Sequence, residues 1–127
     1  MTVTTARPLI GIVDDSESIR LSISHLARAA GYATALFESA EAFLDSGRMH
    51  EMNCLVSDVQ MPGLNGLELQ RLLRDKQYSI PIIFVTAAHD EWRAKALEQG
   101  AVAVLGKPLN PQDLLAAIQA ALESSGR

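Results

Sequence analysis

The 127-residue chain contains a single cysteine, Cys54. No disulfide can close within it, so a reducing compartment is expected. Cys54 opens the apolar run Cys54-Leu55-Val56 and reads as a small buried hydrophobe rather than a reactive thiol. No apolar run approaches the roughly 20 residues that cross a bilayer. Residues 1–8 lack a basic start leading into a long apolar stretch, so no secretory leader is expected and the chain reads as cytoplasmic. Clustered positive charge is lacking too. Eleven Lys and Arg stand against 15 Asp and Glu, a formal charge of -4. That argues against unaided binding to nucleic acid, which needs cations to replace counterions, and against an anionic membrane surface. No His/Cys spacing suits a structural metal, and His25 and His50 read as surface residues.

What is present suits one globular domain. Apolar residues make up 48%, enough for a core at this length, and the 20% charged fraction is too low for disorder. A single domain over 1–127 is expected, with its core at about residues 8–123 and residues 124–127 forming a terminus or the start of a linker. Short apolar runs alternate with helical patterns five times. Leu9-Ile10-Gly11-Ile12-Val13 reads as a strand. A helix follows over 16–30, with Ile19, Ile23, Leu26, Ala27 and Ala30 on one face and Gly31 in the left-handed cap position. Residues 32–37 form an Ala-rich strand, and Ser39 caps a short helix over 40–45 that Gly47 stops. Residues 54–57 are the third strand, and Met61-Pro62-Gly63 is a turn. Leu64, Leu67, Leu72 and Leu73 mark a third helix, and residues 80–85 a fourth strand with Pro81 near its start. Residues 90–99 are helical but Ala-rich, with little bulk to anchor them, and Gly100 ends them. Residues 101–105 are the fifth strand. A last helix starts at Asn110 or Pro111, with Leu114, Leu115, Ile118 and Leu122 inward. Strict alternation of strand and helix implies a parallel sheet with helices on both faces.

The strand ends carry the chemistry. Strand one ends in Asp14-Asp15, strand three in Asp58, strand four in Thr86, and strand five leads into Lys107. Open α/β sheets bind ligands beyond the carboxyl ends of their strands, so these residues are expected in one pocket. Three carboxylates crowded together repel unless a cation sits among them, and oxygen ligands of this kind suit Mg²⁺. An Asp can then act as a nucleophile toward phosphorus, with a lysine and a hydroxyl neutralising and bonding the phosphoryl oxygens. Each residue has a plainer role on its own. Asp15 or Ser16 could be a helix cap, Asp14 a loop acid, Asp58 a turn residue, Thr86 a strand residue and Lys107 a solvated cation. Their recurrence at successive strand ends favours a joint role.

These residues sit in recognisable motifs. Val13-Asp14-Asp15, Ser57-Asp58-Val59-Gln60-Met61-Pro62-Gly63, Val85-Thr86-Ala87 and Gly106-Lys107-Pro108 resemble those of CheY-like receiver domains, over about residues 8 to 123. The run 54–73, with Gly66-Leu67-Glu68-Leu69, looks most like receivers of the FixJ type. The resemblance implies a doubly wound, flavodoxin-like (βα)5 fold with a five-stranded parallel sheet in order 2-1-3-4-5. It implies Asp58 as phosphoacceptor, Mg²⁺ bound by Asp15, by Asp14 mainly through water, by Asp58 and by the backbone carbonyl of Gln60. Lys107 would pair with the phosphoryl group, Thr86 would be the switch hydroxyl, and the Lys107–Pro108 peptide would be cis. It also implies a histidine kinase or phosphotransfer protein as partner. The surface of the fourth helix, fifth strand and fifth helix would carry the signal, with homodimerisation there and an output domain in a longer chain as further expectations. One departure stands out. The family often places an aromatic residue in strand five, and Val104 occupies that position here. Gln60 and Ala88 fall where family members tune phosphoryl lifetime. Trp92 reads as a loop-packing or interface residue, and His89 as a loop residue near the pocket mouth with a catalytic or gating role as the alternative.

Rival functions fare less well. A nucleotide or flavin site needs a Gly-rich first loop, and Asp14-Asp15-Ser16-Glu17 is acidic. A phosphatase with an Asp nucleophile resembles a pattern with a second Asp two residues on, where Gln60 stands here, so the expected activity is a phosphoacceptor switch with at most self-phosphorylation and slow self-dephosphorylation. A receiver that docks partners without phosphorylation is the remaining alternative.

Overall fold

The computed structural model describes residues 7–87 and 90–125, and for residues 90–92 and 124–125 the backbone alone. Ala88, His89 and the Trp92 side chain therefore lie outside the described residues.

Five strands, β1 (Leu9–Val13), β2 (Ala33–Phe37), β3 (Cys54–Ser57), β4 (Ile82–Thr86) and β5 (Ala103–Gly106), form one parallel sheet in the order β2-β1-β3-β4-β5. The helices are α1 (Glu17–Ala29), α2 (Ala40–Asp45), α3 (Gly66–Asp75), α4 (Asp90–Glu98) and α5 (Pro111–Ser125), with a short 3₁₀ turn at Met49–Glu51. Alternate strand residues face opposite sides, and here both sides are apolar. Ile10, Ile12, Val56, Ile83 and Val85 pack with Ile23 of α1 and with Leu114 and Ile118 of α5. Leu55, Ile82 and Phe84 face the other way, against Phe43 of α2, Leu69 and Leu73 of α3 and Ala96 of α4.

The helix ends are set by side chains. Ser16, not Asp15, caps α1 by accepting from the Ile19 N–H, which leaves Asp15 uncommitted. Ser39 caps α2, as its sequence predicts. Asn65 and Glu68 cap α3 reciprocally, at 2.8 Å in each direction. Asn110 caps α5 through the N–H groups of Gln112 and Asp113.

Several expectations need correction. Ala30 is exposed, because it is the C-cap of α1 and its N–H closes the last turn onto Leu26 and Ala27. β4 starts at Ile82 rather than 80, since Pro81 has no N–H for the ladder, and it extends to include Thr86. β5 spans 103–106, two residues beyond its expected start, because Gly100 holds φ +103° and the chain joins the sheet only after that turn. In α3 the buried leucines are Leu67, Leu69 and Leu73, Leu72 is half-buried, and Leu64 precedes the helix, which starts at Gly66 after its Asn65 cap. In α5, Ala117 and Ala121 are buried more deeply than Leu115 and Leu122, so its seam combines Leu114 and Ile118 with two alanines.

α4 is weakly seated. Ala96 alone is buried among its described side chains, and Leu97 remains 40% exposed. Cys54 is fully buried, and burial pushes its thiol pKa up to about 12. A thiol-reactive reagent at neutral pH is expected to leave the native protein unlabelled and to modify Cys54 stoichiometrically in denaturant. Native labelling faster than global unfolding would contradict this burial.

Candidate functional site

The sheet register gathers the polar residues. Val13 pairs with Ser57, so the next residues, Asp14 and Asp58, emerge side by side at the ends of β1 and β3. Thr86 pairs with Gly106, so Lys107 leaves β5 next to the end of β4. Strand order reverses between β1 and β3, which is where a crevice opens in such sheets.

Asp14 is almost wholly buried. Its Oδ1 accepts from the Ser16 N–H at 2.9 Å, and its backbone carbonyl accepts from Arg20 Nη1 at 2.7 Å. The Asp58 N–H donates to the Val13 carbonyl at 2.9 Å, and its Oδ1 accepts from the Gln60 N–H at 3.2 Å. Lys107 Nζ bridges the two carboxylates, at 3.1 Å from Asp58 Oδ2 and 3.4 Å from Asp14 Oδ2. Asp15 is exposed beside them, and carboxylate oxygens of Asp14, Asp15 and Asp58 all lie within 4.8 Å of one another. Thr86 is buried at the end of β4, and its carbonyl accepts from the Lys107 N–H at 3.1 Å. Lys107–Pro108 is cis, as expected. Val104 is buried, and its carbonyl accepts from Arg93 Nη1 of α4 at 2.9 Å.

The charges do not balance: two buried carboxylates share one ammonium. Burial raises the Asp58 pKa, the Lys107 hydrogen bond and charge oppose that rise, and the Asp14 charge adds to it, so the carboxyl lies above its ordinary value. Burial alone would lower Lys107, but Asp58 and Asp14 outweigh it and hold its pKa above the usual one. Both directions express the same surplus of negative charge. Between the ordinary and the raised carboxyl value, the native state binds more protons at Asp58 than the unfolded chain does. Ionisation of Asp58 therefore lowers stability as pH rises through that window. In metal-free buffer at neutral pH, Asp58→Asn is expected to melt above the parent chain. The difference should vanish below the ordinary carboxylate pKa. A lower melting temperature for Asp58→Asn at neutral pH would contradict this account.

Such a cluster suits a hard divalent cation. It offers carboxylate oxygens, and one side is open to solvent through the exposed Asp15 and Gln60. Sequence reasoning missed two supports. Arg20, one turn into α1, fixes the Asp14 carbonyl. Glu41 Oε2 accepts from the Leu64 N–H at 2.9 Å and ties α2 to the loop after Asp58. Neither contact leaves a pattern in the sequence, because each joins segments that only the fold brings together.

A family model described as the response regulator receiver domain matches residues 10–119. The chain belongs to this family. It is 38% identical to the response regulator protein TodT of Pseudomonas putida over 116 residues, 91% of this chain and 51% of TodT. It is 37% identical to the transcriptional regulatory protein FixJ of Bradyrhizobium diazoefficiens over 122 residues, 95% of this chain and 60% of FixJ. The receiver thus spans about half the length of these curated relatives. The solved structure titled FixJ-N superposes with a TM-score of 0.84 at 33% identity, covering 94% of this chain and 96% of that one. The expected CheY-like fold and strand order 2-1-3-4-5 are those observed. The family consists of signalling switches of two-component systems rather than turnover enzymes, and phosphorylation and magnesium are typical of it. No helix among the described residues is long and apolar enough to cross a membrane.

Proposed function

We propose that Asp58 of this receiver accepts a phosphoryl group from the phosphohistidine of a histidine kinase or phosphotransfer protein, and that the change is passed to the α4-β5-α5 surface. The observation that carries this reading is the Asp58 carboxylate held among two further carboxylates with Lys107 Nζ at 3.1 Å. An Asp58 oxygen forms the new bond to phosphorus, the N–P bond of the donor breaks, and its imidazole leaves with the electron pair. Asp14, Asp15, Asp58 and the Gln60 carbonyl would hold Mg²⁺, which supplies charge neutralisation at the phosphoryl oxygens when bound. Lys107 binds the phosphoryl group from the opposite side. The Thr86 hydroxyl donates to a phosphoryl oxygen and moves inward with it. Val104 gives no aromatic ring to follow Thr86, so coupling runs through α4, which Arg93 ties to the Val104 carbonyl.

Similarity to TodT and FixJ supports a kinase as partner and an output domain in a longer chain. Homodimerisation through α4-β5-α5 belongs to the same proposal. The test is acetyl phosphate with MgCl₂ followed by intact-mass measurement. One phosphoryl increment is expected, absent in Asp58→Asn and absent with excess chelator. No increment in the parent chain, or an equal one in Asp58→Asn, would leave a receiver that docks partners without phosphorylation.

A further inference from the structure

α1 carries a cation where a helix prefers an anion. The Arg20 N–H closes the first turn of α1 by donating to the Ser16 carbonyl at 3.0 Å, and the partial positive charge of a helix start disfavours a guanidinium there. Departures from local preference of this kind are expected where a side chain serves a site. Helical side chains lean toward the N-terminus, so the guanidinium reaches back over the turn. Its Nη1 donates to the Asp14 carbonyl at 2.7 Å, a short, charge-assisted bond. Glu17 and Glu38 line the same surface groove as Arg20, yet among the described residues no carboxylate forms an ion pair with it. The cation is committed to one backbone oxygen at the edge of the acidic cluster.

That oxygen belongs to the Asp14–Asp15 peptide. Asp15 is exposed and makes no hydrogen bond of its own among the described residues. Its direction is therefore set by its two neighbours. On one side the Ser16 N–H donates to Asp14 Oδ1 at 2.9 Å. On the other the Asp14 carbonyl lies in one plane with the Asp15 nitrogen, and among the described residues it accepts from Arg20 alone. We infer that Arg20 is a positioning residue for the divalent cation. By holding this peptide it keeps the Asp15 carboxylate within 4.8 Å of those of Asp14 and Asp58, and so sets the affinity of the cluster for Mg²⁺. The inference rests on the proposed reading in which Asp15 is a Mg²⁺ ligand.

Positioning and charge act with opposite signs here. By Coulomb's law alone, removing a cation beside three carboxylates tightens the binding of a divalent cation. Removing a group that orients a metal ligand weakens it, by about 10- to 100-fold in metal sites generally. Arg20→Met keeps an unbranched apolar stem and deletes both the charge and the donor. Arg20→Lys keeps both.

The experiment is titration calorimetry of MgCl₂ into the full chain, well below the melting temperature of each variant. Arg20→Met is expected to bind Mg²⁺ about tenfold more weakly than the parent, and Arg20→Lys within about threefold of it. Acetyl phosphate should modify Arg20→Met slowly at limiting Mg²⁺ and at close to the parent rate once Mg²⁺ saturates. In metal-free buffer, ¹⁵N relaxation should show the Asp15 amide losing order in Arg20→Met while Ile12 of β1 keeps it. Equal or tighter Mg²⁺ binding by Arg20→Met would overturn the inference, since the guanidinium would then act through charge or through stability alone. An Asp15 amide as rigid in Arg20→Met as in the parent would overturn it as well, and so would a tenfold loss in Arg20→Lys with its charge and donor retained. A parent chain that binds no Mg²⁺ would instead sink the metal reading itself, and this inference with it.

Discussion

Gly66→Ala is expected to destabilise the receiver by about 2 kcal/mol, although the substitution replaces a helical glycine with the best helix former. Gly66 opens α3, directly behind the backbone of Asp58, the proposed phosphoacceptor. A Cβ there would press on the backbone carbonyl of Asp58, and would lie 2.8 Å from the Phe84 ring and 3.0 Å from the Val59 Cα. Two of these neighbours are backbone, and Phe84 is fully buried, so none of the three can swing aside. The Gly66 N–H also donates to the Val59 carbonyl at 2.8 Å, which holds the helix start in place. Helix propensity returns about 1 kcal/mol, and overpacking of this kind costs about 3 kcal/mol, so the clash wins. The melting temperature should fall by about 8 °C. Gly106→Ala is the control. A Cβ at Gly106 meets nothing within 4 Å, and the change should be close to neutral. If Gly66→Ala melted with the parent chain, the tight seating of α3 against the Asp58 backbone would be wrong. Because the pressure falls on the Asp58 carbonyl, acetyl phosphate should also modify the variant more slowly than loss of folded protein explains.

This glycine shows what the sequence conceals. Gly66 stands in the family-like run Gly66-Leu67-Glu68-Leu69, yet nothing around it says that its α-hydrogen faces the Asp58 carbonyl. The alternation of apolar runs and amphipathic stretches was sufficient for the parallel sheet, because each run is short and uninterrupted by polar residues. It did not resolve where β4 and β5 begin. Apolar side chains continue outward past the last ladder bond, and only the missing Pro81 N–H and the positive φ of Gly100 set those limits. The acids and the lysine were legible because they sit one residue past the strand ends, and a parallel register aligns such positions. Depth was not legible. Asp14 and Asp15 are equivalent as letters, yet one is buried under α1 and the other faces solvent, since the helix cap falls on Ser16. Gln70 likewise reads as an ordinary polar face of α3, and only the position of α4 makes it interior.

Lys107→Ala should separate two properties that a merely structural lysine would change together. Phosphorylation of Asp58 by acetyl phosphate is expected to slow by about 10²–10³-fold, the loss typical of removing one preorganised charged donor from a transferring group. Affinity for Mg²⁺ should rise. Lys107 Nζ now lies 3.1 Å from Asp58 and 3.4 Å from Asp14, where its charge offsets the carboxylates that a divalent cation would use. Isothermal titration and the Mg²⁺ dependence of the melting temperature read that second property directly. Lys107→Arg should not restore the rate. The compact ammonium reaches both carboxylates from one point, and the wider, planar guanidinium cannot take the same position between them. The Lys107 backbone N–H donates to the Thr86 carbonyl, so the start of the stem is set by the sheet rather than by the pair. A rate and a Mg²⁺ affinity that fall together in Lys107→Ala would mean that the lysine holds the pocket's shape. A slower rate with tighter Mg²⁺ binding would place its charge on the phosphoryl group during transfer.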